Sequence, residues 1–420
     1  MKSSEFESVR RDLESFSAFL FSGFGYEPTR RNLRTCLQAR LIDAQRKTHQ
    51  PAGIALARIP EQADALRQRM NRTVLGAAWS DDVVRQRLRS LAPLAVPSPV
   101  AWVIDDTGVE KKGKKSPGVG RQYCGSVGKV TNCQLFVSTH LSGWNTSMPL
   151  EMDLYLPRVW CDDPDRRAEA EIPEHLSFRT KPELALDQVD RLVAAKAPRG
   201  VVLADAAYGD GNEFRAGLIE RGLEYSVAIK GGTTVWRKGE GPDPVRERTG
   251  RGHRPRRAYP GKHQPVTVKA LAAELADDAF TSVRLWRGRH EAVQVRAAAL
   301  RVRPAHKANA GLPPGPEQWL IVEWPDGNEE PFHYYLSNLP PRTRLTRLVD
   351  IAKLRWRVER DYQDLKQEVG FGHFEGRRWR GLNHHVTICM AALAFLITQR
   401  RLFPPQAAAV PGQHSPQAPG

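Results

Sequence analysis

Along the first part of the chain, Phe6, Val9, Leu13, Phe16 and Leu20 recur at three- and four-residue intervals, which places them on one face of an α-helix. Ser4 and Glu7 stand ahead of that face at capping-box spacing. A second, basic helix is predicted from Arg30 to Lys47. Ser80, followed by Asp81 and Asp82, marks another start, with Val83, Val84 and Leu88 as its apolar positions toward Pro93. From Ala101 the period shortens to that of strands. Ala101 to Ile104 is a short apolar run predicted to end in Asp105, and Asn132 to Leu141 and Met148 to Leu156 follow as β-rich stretches separated by turn residues. These are expected to be three consecutive antiparallel strands. Lys181 to Ala195 returns to helical spacing, Gly200 to Ala204 reads as a buried strand ending in Asp205, Phe214 to Gly222 as a helix, and Glu224 to Lys230 as a further strand.

Between Lys230 and Pro341 the pattern breaks. Arg246 to Arg257 and Arg303 to Glu317 read as loops, whereas Ser282 to Arg287, Ala292 to Val302, Gln318 to Trp324 and Phe332 to Leu339 read as strands. Such a stretch far exceeds an ordinary strand-to-helix connection, so it is expected to fold on its own or to serve the substrate. Helical spacing resumes from Arg344 to Val369, an apolar helix follows from His385 to Leu402, and the tail beyond Phe403 is too poor in apolar residues to build a core. The resulting division is a helical region over 1–95, a core first part over 96–230, a β-rich insertion over 231–341, C-terminal core helices over 342–403 and a disordered tail over 404–420. The order βββ-α-β-α-β, with acids at the ends of the first and fourth strands, is that of a ribonuclease-H-like α/β catalytic core.

Charge narrows the choice of partner. With 63 Lys+Arg against 47 Asp+Glu, a formal net charge of +16 creates a field that attracts polyanions, nucleic acid first among them. An Arg-rich genome would produce the same excess without any binding role, so the excess acquires meaning only beside motifs. Cys36, Cys124, Cys133, Cys161 and Cys389 are scattered without Cys-x-x-Cys pairing, which argues against a disulfide framework or a structural zinc site. The most apolar run, Ile388 to Ile397, falls short of the roughly 20 residues a bilayer span requires. No membrane role is expected, and a cytoplasmic protein, nucleoid-associated when bound to DNA, follows.

Glu359 and Lys366 lie seven residues apart, so on one α-helix they face the same way about 10.5 Å apart, with Arg355 about 40° off that line. The stripe sets a carboxylate between two cations. A surface ladder of i to i+4 ion pairs has the same spacing. His384 and His385 diverge by about 100° on a helix, which favours packing or a DNA contact over a shared metal.

The set becomes specific through its neighbours. The segments Val103-Ile-Asp-Asp-Thr-Gly108, Lys111-Lys-Gly113, Gly118 to Gly125, Asn132-Cys-Gln134, Lys181-Pro-Glu183, Leu203 to Gly209, Arg355-Trp-Arg-Val-Glu359, Lys366 and Glu375-Gly-Arg377 occur in fixed order. In these the chain resembles, almost end to end, the DDE transposases of bacterial insertion sequences, in the branch with a β-rich insertion between the second Asp and the Glu. The resemblance implies Asp105, Asp205 and Glu359 as the catalytic, metal-holding acids, with Asp106 open as an alternative to Asp105. It implies two Mg²⁺ or Mn²⁺ ions as cofactors. Arg355 and Lys366, from the Arg-x3-Glu-x6-Lys signature, are implied as DNA-phosphate anchors. Double-stranded DNA with inverted-repeat ends and a target DNA are the implied partners, engaged as a homodimer. Related transposases carry a DNA-contacting Tyr three residues before the Arg; here that position is Ala352.

The arginine cluster in the insertion, with Arg251, Arg254, Arg256 and Arg257, is a candidate phosphate clamp. Relatives stack an insertion aromatic on a flipped base, which makes Trp236, Trp286, Trp319 and Trp324 candidates against the competing fate of core packing. The expected activity is Mg²⁺-dependent cleavage at element ends followed by strand transfer. The alternatives are an inactive or domesticated DNA-binding descendant and a structure-specific nuclease.

Overall fold

The computed structural model describes residues 3–241, 264–287, 291–306 and 315–402. The clamp candidates Arg251, Arg254, Arg256 and Arg257 and the tail 404–420 lie outside the described residues.

The helical N-terminal region comprises α1 (Ser3–Leu20), α2 (Glu27–Leu41), α3 (His49–Leu56), α4 (Ala63–Asn71) and α5 (Asp81–Ala95). The expected helix over Arg30 to Lys47 is shorter at its C-terminal end, because Ile42 turns to extended backbone. Helix α5 runs through Pro93.

Four strands follow: β1 (Ala101–Glu110), β2 (Gly120–Cys124), β3 (Lys129–Ser142) and β4 (Ser147–Tyr155). The expectation that the first strand ends at Asp105 is corrected. It continues for five more residues because β3 pairs with it along its whole length, from Ala101↔Ser142 to Glu110↔Cys133. Short helices α6 (Arg158–Cys161) and α7 (Pro164–Glu169) lead to α8 (Lys181–Ala194), whose start is fixed by a Thr180/Glu183 capping box. Strand β5 (Val201–Ala204), the single turn α9 (Ala206–Gly209), α10 (Asn212–Glu220) and β6 (Tyr225–Ile229) complete this part.

The insertion contributes β7 (Thr234–Arg237), β8 (Val266–Thr267), α11 (Val268–Ala273), β9 (Thr281–Arg287), β10 (Glu291–Pro304), β11 (Gln318–Glu323) and β12 (His333–Ser337). It does not stand apart from the core. Strand β12 pairs antiparallel with β6, so one mixed twelve-stranded sheet runs from β2 and β3 through β1, β5, β6, β12, β11 and β10 to β7 and β8. Within it, β1, β5 and β6 are parallel, whereas β3 is antiparallel to β1 and to β4.

The chain then forms α12 (Leu345–Lys353), a 3-10 turn over Leu354–Trp356, α13 (Arg357–Gln367) and α14 (Trp379–Leu402). The continuous helix expected over Arg344 to Val369 is therefore interrupted at Arg355. Helix α14 is longer than the apolar run read from sequence and meets the length and composition of a membrane span. It instead packs among α2, α5 and β4, with Cys389 to Leu393 wholly enclosed. All five cysteines are free.

Candidate active site

Parallel pairing of β1 with β5 sets Ile104 opposite Ala204, which brings the next residue of each chain, Asp105 and Asp205, to the same edge of the sheet. Alternation along β1 sends Asp105 and Asp106 to opposite faces. Asp105 Oδ2 accepts a hydrogen bond from Arg355 Nη1 at 2.7 Å, and its Oδ1 accepts one from the Asp106 amide at 2.8 Å. Asp106 instead accepts from Lys181 Nζ at 2.6 Å. Asp205 leaves β5 as the N-cap of α9, accepting from the Ala207 amide at 2.9 Å. Glu359, in the first turn of α13, is 68% exposed and lies 3.9 Å from Arg355 Nη2.

These charges shape one another. Burial pushes the Asp105 carboxyl up to about 7, against the pull of Arg355 and with a further push from Asp205. Burial works against the Arg355 charge, yet Asp105, Asp205 and Glu359 outweigh it and hold the guanidinium above its ordinary value. One arginine thus serves three carboxylates that come from three separate segments.

A chain of buried hydroxyls and a histidine fixes α13 beneath this edge. Tyr362 Oη meets Ser138 Oγ at 2.7 Å, and Ser138 Oγ meets His140 Nε2 at 2.9 Å. His140 Nδ1 meets Asp361 Oδ2 at 2.7 Å, while Ser147 Oγ donates to Asp361 Oδ1 at 2.8 Å. Because Asp361 and Tyr362 follow Glu359 closely on the helix, this network ties the approach of Glu359 to β3 and β4.

Beside Asp205 and Glu359 opens a cleft of about 700 Å³, lined also by Lys230, Phe332, His333 and Arg355 among others; Asp105 lies outside this lining and is joined to it through Arg355. Among the described residues, no three His, Cys or carboxylate side chains stand close enough to hold an ion as they are placed. The guanidinium of Arg355, within 4 Å of both Asp105 and Glu359, holds the position of positive charge instead. As a donor set, three hard carboxylates suit Mg²⁺ or Mn²⁺.

The stripe expected from helical geometry is only partly assembled. Arg355 and Glu359 meet, but Lys366 lies toward the far end of α13, half-buried beside the Cys124 thiol and away from the cleft lining. Burial lowers its pKa. Ala352 is buried and lines the cleft floor.

The insertion tryptophans whose side chains are described are packed or tethered. Trp236 is 9% exposed. Trp319 Nε1 donates to the Pro340 carbonyl at 3.1 Å under the Arg301 guanidinium, and Trp324 Nε1 donates to the Asn328 carbonyl at 2.8 Å with its ring edge-on to Phe280. The Trp286 side chain lies outside the described residues. Of the aromatics that line the cleft, Tyr334 and Tyr335 are buried and Phe332 is 61% exposed; sequence reasoning missed Phe332 because nothing distinguishes it from any other strand-leading residue. His384 stacks on Trp79 at 3.8 Å with both ring nitrogens on backbone carbonyls, and His385 bonds the Phe371 carbonyl, so both pack as expected. Lys181, partner of Asp106, was visible only within the Lys181-Pro-Glu183 segment.

The family model described as DDE superfamily endonuclease matches residues 19–292, a stretch that contains Asp105 and Asp205 and stops before Glu359. Over 231 residues the chain is 29% identical to the probable transposase for insertion sequence element IS701 of Microchaete diplosiphon. The match covers 54% of this chain and 52% of that relative, so it spans about half the length of the curated relative.

Proposed function

The chain belongs to the DDE superfamily endonucleases, and from that premise we propose that it is a DNA transposase, cutting the ends of an insertion element and joining them to target DNA. The observation that carries this reading is the meeting of Asp105, Asp205 and Glu359 around Arg355 at one open cleft in a strongly basic protein. The strand sequence β4-β3-β1-β5-β6, antiparallel then parallel, supports a ribonuclease-H-like core for the same reading. The likeness to an insertion-sequence transposase supports it further.

Asp105, Asp205 and Glu359 would hold Mg²⁺ or Mn²⁺. Once bound, two such ions supply Lewis acidity to the attacking and leaving oxygens of an in-line phosphoryl displacement. Asp105 is favoured over Asp106 because it shares Arg355 with Glu359, whereas Asp106 is occupied by Lys181. Arg355, released from Asp105, would turn to a DNA phosphate; Lys366 would hold another further along the same duplex and position it without reading its sequence. Phe332, in the cleft lining, offers an exposed ring face to an unstacked base. The reading includes two element ends bridged by a homodimer.

The test is incubation of the purified chain with DNA carrying the element's inverted-repeat ends and Mg²⁺. Cleavage at the end followed by strand transfer into a second DNA is expected. Cleavage without joining would point to a nuclease of the same family, and binding without cleavage to an inactive descendant.

A further inference from the structure

Strand β1 and helix α13 run side by side from the acids toward a second charged locus. Lys111, six residues beyond Asp105 and so about 20 Å along the strand, donates from Nζ to the carbonyls of Gly372 at 3.1 Å and Phe374 at 2.6 Å. The segment that it holds forms one wall of a cavity of about 220 Å³, whose other wall comes from the N-terminal helices. Arg40, Lys47, His49, His373 and His385 line it.

Arg40 is the unusual member. It is 3% exposed, yet it makes no ion pair among the described residues, where a buried guanidinium is ordinarily paired. Its charge is felt all round the cavity. Burial first, and then Arg40, depress the basicity of His49 and His385, and burial followed by Arg40 does the same for His373. Lys47, 7% exposed, adds a second cation, whose Nζ donates to the Ile42 carbonyl and whose charge is partly offset by Glu368 and Asp43. The one carboxylate in the lining, Glu375, is paired with Arg46. The cavity is therefore polar, half-open and positive, with a buried arginine that meets the neutral Cys389 thiol and has no carboxylate partner among the described residues.

We propose that this cavity is a phosphate-binding site. An oxyanion there supplies the missing partner of Arg40, with Lys47 as a second anchor and the Nε2–H of His373, whose Nδ1 accepts from the Lys47 amide, as a further donor. Two sources present that chemistry: a backbone phosphate of DNA lying along β1, and a small phosphorylated compound. The identification of DNA as a source rests on the transposase reading; the phosphate chemistry of the cavity does not.

The probe is inorganic phosphate, added to the full chain without divalent ions and compared with chloride at equal ionic strength. Phosphate is expected to raise the melting temperature beyond chloride, and Arg40→Met to weaken phosphate binding by about tenfold or more, a charge-assisted contact being worth about 1.5–3 kcal/mol. Equal responses to phosphate and chloride, or full phosphate binding by Arg40→Met, would overturn the site. If that variant does not fold, judged by circular dichroism, Lys47→Met takes its place, and undiminished phosphate binding there overturns the proposal equally.

A random-sequence duplex then separates the sources. Competition by phosphate, with the salt slope of duplex binding reduced by about 1 in the variant, assigns the site to a DNA phosphate. Unchanged duplex binding beside lost phosphate binding assigns it to a small compound. Neither assay contains Mg²⁺ or element ends, so failure here leaves the cleavage test, and the reading that it examines, standing.

Discussion

Two groups of acids stand on the sheet of this protein, and they are treated in opposite ways. On β4, Glu151 is wholly enclosed, yet Arg89 and Arg191 both reach it, and Asp153 nearby is met by Arg85, Arg191 and Gln188. Burial pushes Asp153 up, but Arg191 and Arg85 outweigh it and leave the carboxyl below its usual range. At the edge of β1 and β5, Asp105, Asp205 and Glu359 share the single Arg355, and Asp105 rises to about 7. The first group is saturated with cations and ties α5 and α8 to the sheet. The second shares one guanidinium among three carboxylates beside an open cleft, which suits the site proposed above for divalent ions and a phosphodiester.

The largest effect that separates the groups is on catalysis. Asp105→Ala, Asp205→Ala or Glu359→Ala is expected to reduce Mg²⁺-dependent cleavage of end-bearing DNA by about a thousandfold or more, with DNA binding nearly intact in a gel-shift assay. Full cleavage by any one of them removes that residue from the active site. Glu151→Gln, in contrast, is expected to cost about 3–5 kcal/mol in urea unfolding, because it leaves the largely buried Arg89 without its carboxylate, while Arg191 keeps Asp153. A loss below about 1 kcal/mol would mean the saturated cluster is not a structural tie.

The pH dependences should also oppose each other. A raised Asp105 contributes stability that is present below its unfolded value and lost as pH rises toward about 7. Asp105→Asn should therefore gain on the parent chain by up to about 4 kcal/mol between about pH 4 and pH 8, less whatever the lost ion pair with Arg355 contributed. Asp153 has the opposite sign: its stability is present above the unfolded value and is lost as pH falls through the lower, folded one. Parallel stability profiles for Asp105→Asn and the parent chain would contradict the raised carboxyl. The smallest effect belongs to Phe332→Ala, expected to weaken binding of a DNA end with unpaired terminal bases by about 1–3 kcal/mol and to leave a fully paired duplex unaffected. Equal losses for both DNAs would make Phe332 a general contact instead of a base platform.

Much of this arrangement could be read along the chain. The three acids stood out because two follow apolar strands and one sits in a charged helix between cations, all local signals. The alternating runs that became β3, β4, β5 and β6 were equally clear, as were α1, α5 and α8. The continuation of β1 past Asp105 was hidden, since two consecutive aspartates look like the end of a strand until β3 supplies partners for all ten residues. The helices α3 and α4 were not separated within the helical region 1–95, because they bury few residues, Ala52 and Gly53 in one and Met70 in the other. Joining of the insertion to the core through β6 and β12 depends on backbone pairing between segments about a hundred residues apart, which leaves no mark in either segment.

By itself, then, the sequence singled out three carboxylates, the alternation of strands and helices around them, and the excess of positive charge that suits a polyanionic partner, because each of these is carried by neighbouring residues. Tertiary structure alone decided which charges meet. It brought Asp105 beside Asp205 through the register of two parallel strands, placed Arg355 between the acids by breaking a helix at one turn, left Lys366 out of the cleft lining, and enclosed Arg40 with no carboxylate partner among the described residues. Burial and pairing set the energy of a charge, and both are properties of what the fold brings together from distant parts of the chain.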